Sequence, residues 1–239
     1  MRRIIKITLD RLLNDLNIYF KCGGNFMNKL YSKSEEMFNT ISHAVGALLG
    51  LVYMIYVLLM YNSILNTDEI GALIIFCLSI INLYTMSSMY HIINDKKLKK
   101  VFRIFDHCSI FILIAGTYTP YIILKINTSL GHAILFFVWF CALIGIVMNA
   151  INMESKIVKL ISYIFYLLMG WCIIFIYNQL IISINNRCFI YLLVGGIIYT
   201  IGFVFYALGK KKKWFHSIWH LFVLGGTIFH FISVINLII

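Results

Sequence analysis

Apolar residues fall into seven long runs set apart by short polar stretches, at about 40–60, 70–91, 105–124, 131–150, 157–180, 188–208 and 214–237. Each is close to the ~20 residues that a helix needs to cross ~30 Å of hydrocarbon. The pattern predicts an all-α fold, a seven-transmembrane-helix bundle. Its short loops make sequential helices neighbours. Pro120 lies late in the third run and should kink it. Gly46 with Gly50, Gly195 with Gly196 and Gly225 with Gly226 offer places where helices can approach closely.

The chain divides into two parts, residues 1–33 and the membrane domain 34–239. In the first, Ile5, Leu9, Leu12, Leu13 and Leu16 share one helical face among seven Lys and Arg. That arrangement predicts a basic amphipathic helix lying on the membrane surface. Asp10 and Asp15 interrupt any signal-peptide core, and no small-residue cleavage site follows. The alternative is a start at Met27, with the preceding stretch not native.

Composition strengthens the membrane reading. Of 239 residues, 62% are hydrophobic and 12% charged, against about 25% charged in soluble domains; the mean hydropathy is +0.91. The net charge of +11 invites a nucleic-acid reading, but the basic residues sit in short loops and form no single stripe. With no Gly-rich phosphate loop either, nucleic acid is excluded as a partner. The charges are topology signals instead. Eighteen of the twenty Lys and Arg fall on the side of the amino terminus and the even-to-odd loops, leaving Lys125 and Arg187 on the other. The positive-inside bias puts the amino terminus in the cytoplasm and the carboxyl terminus outside. The six cysteines form no C-x-x-C pair and read as free thiols.

With the topology fixed, polar residues can be placed by depth. Ser87 and His91 are spaced i, i+4 at the cytoplasmic end of the second helix, and His216 and His220 repeat that spacing at the start of the seventh. His43 opens the first helix and Asp106 the third, all at one level. His91, His216 and His220 would make a three-ligand zinc site with a fourth position for water. Zinc lowers the pKa of bound water towards ~7, Asp106 could accept its proton and Ser87 could hold it in place. Asn39 and His43 are candidates to receive the histidines' other ring N–H. Two simpler roles stay open: interfacial histidines hydrogen-bonded to backbone or headgroups, and Asp106 as a helix N-cap or a partner of Arg103. His107 points about 100° away from Asp106. His132 lies at the outer side and His230 ~15 Å beyond His220, too far to join. Trp139, Trp171, Trp214 and Trp219 read as packing and interface anchors.

Four motifs, Glu36-x-x-Asn39-x-x-Ser42-His43, Ser87-Ser-Met-Tyr-His91, Phe105-Asp106-His107 leading to Ala115-Gly-Thr-Tyr-Thr-Pro120, and His216-Ser-Ile-Trp-His220, together resemble the haemolysin III family of bacterial seven-helix membrane proteins. The resemblance covers about residues 33–239. That family is similar to the progestin and adipoQ receptors, among them the adiponectin receptors, and more distantly to alkaline ceramidases. It implies zinc on His91, His216 and His220, with Asp106 and Ser87 lining the water site. It also implies a link to ceramide amide hydrolysis on the receptor side and to red-cell lysis on the bacterial side.

The expected function is therefore a zinc-dependent hydrolase in the bacterial inner (plasma) membrane, acting on an amide or ester bond of a membrane lipid. The outer loops are too short to bind a protein hormone. Two readings from other classes stay open: a pore-forming cytolysin with a structural metal, and a lipid or membrane-stress sensor without chemistry.

Overall fold

In the computed structural model, which describes residues 31–209 and 212–239, the seven apolar runs are helical. α1 spans Lys33–Tyr61, α2 Thr67–Ile92, α3 Lys96–Leu124 and α4 Ser129–Asn152. The fifth span joins α5 (Lys156–Trp171), a 3₁₀ stretch (Cys172–Ile176) and α6 (Tyr177–Ser183). α7 is Asn186–Leu208 and α8 Phe215–Ile238. Seven spans are long and apolar enough to cross a membrane, and no strand occurs among the described residues. The protein is an all-helical, multi-pass membrane protein. The surface helix expected ahead of the bundle falls on residues before 31, outside the described part of the chain.

Local capping chemistry sets the helix starts. Ser32 and Glu35 form a reciprocal capping box at α1, and Asn66 and Glu69 form another at α2. Asp95 accepts from the backbone N–H groups of Lys97 and Leu98 and so starts α3 at Lys96. Two expectations are corrected here. The basic stretch from Lys96 to Arg103 is not loop but the first turns of α3, so Asp106 lies inside the helix and the N-cap role belongs to Asp95. His43 likewise lies well inside α1, which starts at Lys33. Long cationic side chains at headgroup level stay solvated on a helix, so an apolar run understates helix length.

α3 runs through Pro120 to Leu124, and the fifth span is interrupted by a 3₁₀ stretch. There the Tyr118 hydroxyl donates to Gly170 O at 3.2 Å and accepts from Ile173 N at 3.0 Å. One side chain thus satisfies backbone groups that the broken ladder would leave unpaired in lipid.

Consecutive spans pack in order from α1 to α5, α7 pairs with α8, and α8 returns against α1 and α3 to close the ring. Phe76, Ile80, Tyr84, Tyr121 and Val234 are buried at its centre, while Leu59, Phe136, Ile157 and Ile182 face outward. Lipid tails are as apolar as these side chains, so close fit rather than burial from water holds the helices together. At Gly46 a Cβ would lie 2.6 Å from the Tyr84 ring, which is how α1 comes close enough to α2. Cys77, Cys108, Cys141, Cys172 and Cys188 are free and buried.

Candidate metal centre

Two helix ends deliver the three histidines. His91 stands in the last turn of α2, with Ser87 one turn earlier; His216 and His220 occupy the first turns of α8. The entry into α8 is fixed by Trp214, which holds a left-handed backbone (φ 65°) and donates its N–H to Glu35 Oε1 at 2.7 Å. The other Glu35 oxygen accepts from Ser32. One buried carboxylate therefore locks the start of α8, and with it two histidines, to the start of α1.

His216 Nε2 lies 3.3 Å from His91 Nε2 and 3.1 Å from His220 Nε2. All three residues are buried, and their ligand atoms lie within 4.8 Å of one another. For a tetrahedral ion with arms of 2.0–2.1 Å, neighbouring nitrogens are about 3.3 Å apart. The proton inventory points the same way. Glu36 Oε2 sits 2.7 Å from His91 Nδ1, and an ionised carboxylate only accepts, so that Nδ1 carries the proton. The Ser42 hydroxyl donates to Asn39 O at 3.1 Å; toward His220 Nδ1, 3.3 Å away, it is left to accept. His91 and His220 therefore both present bare Nε2 lone pairs to His216, whose single Nε2 proton could satisfy only one of them. A cation among the three nitrogens resolves the conflict, and neutral imidazoles converging at this spacing could hold a metal ion.

The sequence suggests Asn39 and His43 as recipients of the histidines' outer nitrogens. The structure puts the side chains of Glu36 and Ser42 beside the outer nitrogens of His91 and His220, and the backbone of Asn39 also hydrogen-bonds His220. The side-chain N and O of Asn39 and both ring nitrogens of His43 are buried without a hydrogen-bond partner among the described residues. His43 packs face to face on His220, ring centroids 3.5 Å apart, and edge-on to Tyr84. Its contribution is stacking. Glu36 carried a visible signal, an acid one turn before Asn39 and two turns before His43; Ser42 carried none beyond its motif.

Asp106 lies near His91, its carboxyl in hydrogen-bonding relation to the Ser87 hydroxyl and within reach of Arg103. Its side chain keeps 13% of its exposure, so it borders the site without being sealed in. His107 is not one of the converging histidines: its Nδ1 donates to Arg103 O at 2.9 Å and lies 3.8 Å from Asp106 Oδ2, and His132 is exposed at the opposite end of the bundle.

Two cavities meet this level. A small polar one of about 50 Å³ reaches His216 from the end with the basic loops and is lined by Tyr31, Tyr90, Arg103, His107 and Lys159, among others. Tyr31 stacks on the His216 ring at 4.7 Å; burial pushes its phenol well above the ordinary value, so it stays a donor. A larger one, about 410 Å³, is almost wholly apolar. It begins one turn deeper than the site on three helices at once: Leu83 below Ser87, Ile110 below Asp106, Val223 below His220. It then runs between the fifth span and α7, past Trp171, Ile174, Leu193 and Gly196.

A seven-span membrane protein with a buried three-histidine centre between a polar inlet and an apolar chamber is the class defined by these features. Residues 31–231 match the sequence model of the family described as Haemolysin-III related, and the chain belongs to that family. It is 36% identical over 206 residues to the Hemolysin-3 homolog of Bacillus subtilis (strain 168), covering 86% of this chain and 95% of that one. To Hemolysin-3 of Bacillus cereus it is 35% identical over 201 residues, 84% and 90% of the two chains. The human Monocyte to macrophage differentiation factor is 29% identical over 158 residues, 64% of each. No solved structure matches. Together with the seven spans, the bacterial relatives place the chain among multi-pass bacterial membrane proteins.

Proposed function

We propose that this protein is a zinc-dependent hydrolase that cleaves an amide or ester bond of a membrane lipid at the cytoplasmic edge of the bilayer. The observation that supports the reading is the convergence of the buried His91, His216 and His220, with His216 lining the small inlet and the apolar chamber reaching to within a turn of the same level.

Each part has a task in that reaction. The chamber takes the acyl chain, whose only requirement is an apolar wall. The inlet lets water in from the opposite side, so chain and water meet between the two. A zinc ion on His91, His216 and His220 would supply a Lewis acid and lower the pKa of a bound water. Asp106 takes a proton from the attacking water at a carboxylate oxygen and passes it to the leaving nitrogen or oxygen as the carbonyl bond breaks. Ser87 donates to Asp106 and fixes which oxygen faces the water. Arg103, paired with Glu154, stands close to Asp106.

Release of free fatty acid from acyl-amide and acyl-ester lipids in proteoliposomes tests the reading. Asp106→Asn should keep the metal and lose at least a hundredfold in turnover, in line with the usual loss of a general base. Unchanged turnover in a metal-loaded Asp106→Asn protein would remove the mechanism.

A second reading, membrane lysis, is favoured by the names of the two Bacillus relatives. Against it, the larger cavity is walled by apolar side chains and offers ions no polar conduit. Dye release from liposomes that persists when His91, His216 and His220 are all replaced would favour lysis over hydrolysis.

A further inference from the structure

The inlet carries charge that the entry of water does not need. Among the described residues that line it, Arg103 and Lys159 are cations, Tyr31 and Tyr90 bring phenols, and none is an acid. Both cations keep part of their surface, 15% and 27% of the side chain. Glu154 holds them from outside the lining. It accepts from Arg103 Nη1, and its carboxylate and carbonyl accept from Lys159 Nζ at 2.9 and 3.0 Å. A guanidinium has five N–H groups in a flat fork and an ammonium three, so one glutamate does not saturate the pair. Walls with two cations and no acid suit an anion, and they repel a choline or a free amine.

Position and size narrow the choice of anion. His216, one of the three converging histidines, lines the same cavity as Arg103. Arg103 also stands one turn before Asp106, on the same side of α3. With an acyl chain in the chamber and its carbonyl at the histidines, the leaving half of the molecule falls in the inlet. That space is about 50 Å³, and a water-sized group takes about 10–15 Å³, so it holds about four heavy atoms. A carboxylate on a single carbon is of that size, whereas a phosphoglycerol is far larger.

We propose that the substrate is a single-chain N-acyl amino acid with a small side chain, such as an acylglycine, and that Arg103 recognises its carboxylate in the inlet. The proposal rests on the hydrolase reading and names the substrate class of that site. The carboxylate lies only three bonds from the acyl carbon, as near as the inlet lies to His216. In the reaction the hydroxyl of water joins the acyl carbon and the C–N bond breaks. The remaining proton reaches the nitrogen by way of Asp106, and a fatty acid and a free amino acid result. Lys159 adds a second positive charge beside the fork of Arg103.

The test compares kcat/KM of the metal-loaded full chain in proteoliposomes for N-palmitoylglycine and N-palmitoylethanolamine, which differ in a carboxylate against a hydroxymethyl group. Wild type should prefer the glycine conjugate by about ten- to a hundredfold, the worth of a hydrogen bond to a charged group. Arg103→Lys, which keeps the charge beside Glu154, should retain only part of that preference, and Arg103→Met should bring the ratio close to one. Equal use of the two amides by wild type, or full preference in Arg103→Lys, would overturn the assignment. So would a wild-type preference for palmitoyl lysophosphatidate, whose anion is a phosphate on glycerol. If metal-loaded wild type cleaves none of these lipids, the hydrolase reading falls, and equilibrium binding of the two amides to the same protein decides the inlet by itself. Tighter binding of N-palmitoylglycine, weakened in Arg103→Lys, upholds the carboxylate site; equal binding removes it.

Discussion

Glu36 Oε2 lies 2.7 Å from His91 Nδ1, while its other oxygen lies 3.0 Å from Lys99 Nζ. Lys99 also donates to the carbonyls of His91 and Ile93. A side chain from α1 and another from α3 thereby clamp the end of α2 and hold the His91 Nε2 lone pair toward His216. Partners of this kind typically contribute 10–100-fold in metal affinity. Glu36→Gln should weaken zinc retention by about that factor while leaving the helices intact. Chelator competition read by metal analysis checks it; wild-type retention would show that the carboxylate does not orient the ligand.

Glu35 has a structural task beside this one. It is buried, caps α1 through Ser32 and receives the Trp214 N–H at the start of α8. Glu35→Ala removes the acceptor for both, and should destabilise the fold by about 2 kcal/mol, the sum of a lost cap and a stranded buried donor. Thermal unfolding in detergent measures it. A midpoint within a degree of wild type would mean that α8 is positioned by other contacts.

The chamber can be filled without disturbing its walls. Gly196 lines it, and a Cβ there meets nothing within 4 Å. Gly196→Leu should therefore fold at least as well as wild type, since glycine costs a helix about 1 kcal/mol. Its bulk should cut lipid turnover by about tenfold or more, as expected when a reacting chain is displaced by roughly 1 Å. Metal content should not change. Full turnover in a stable Gly196→Leu protein would place the acyl chain elsewhere.

Glu154, between α4 and α5, pairs with Arg103 of α3 and, at 2.9 Å, with Lys159 of α5. Burial alone would raise its carboxyl, but the hydrogen bond and charge of Lys159 and the charge of Arg103 outweigh that and hold it below the ordinary value. A depressed folded-state value means that the stabilisation is present above the ~4.3 of an unpaired glutamate and is lost as pH falls through the lower, folded value. Glu154→Gln should therefore melt slightly below wild type at neutral pH and together with it in acid, as pH-resolved melting would show. A gap that persists in acid would mean that the glutamine, not the lost charge, is responsible.

Hydropathy alone places the seven spans, because a helix that must cross hydrocarbon leaves a run of set length. The i, i+4 pairs Ser87/His91 and His216/His220 were legible for a similar reason: helical geometry fixes which residues share a face. Three features were not. The first turns of α3 look like loop because Lys96, Lys97, Lys99 and Lys100 count as polar whether or not the backbone is helical. The break after Trp171 depends on a hydroxyl from Tyr118, more than fifty residues away. That the side chains of Glu36 and Ser42 reach the histidines' outer nitrogens, while Asn39 meets His220 through its backbone and His43 by stacking, turns on the rotation of α1 about its own axis, which neighbours set and a motif does not encode.

The central claim is that His91, His216 and His220 hold a metal ion. Its most direct test is the metal content of detergent-purified protein, wild type beside the His216→Ala, His220→Ala double variant. The account predicts about one zinc per chain in wild type, one tetrahedral site's worth, and none in a variant that still folds. Folded wild-type protein that was never exposed to chelator and yet carries no metal would contradict it, and so would zinc retained in full by the double variant.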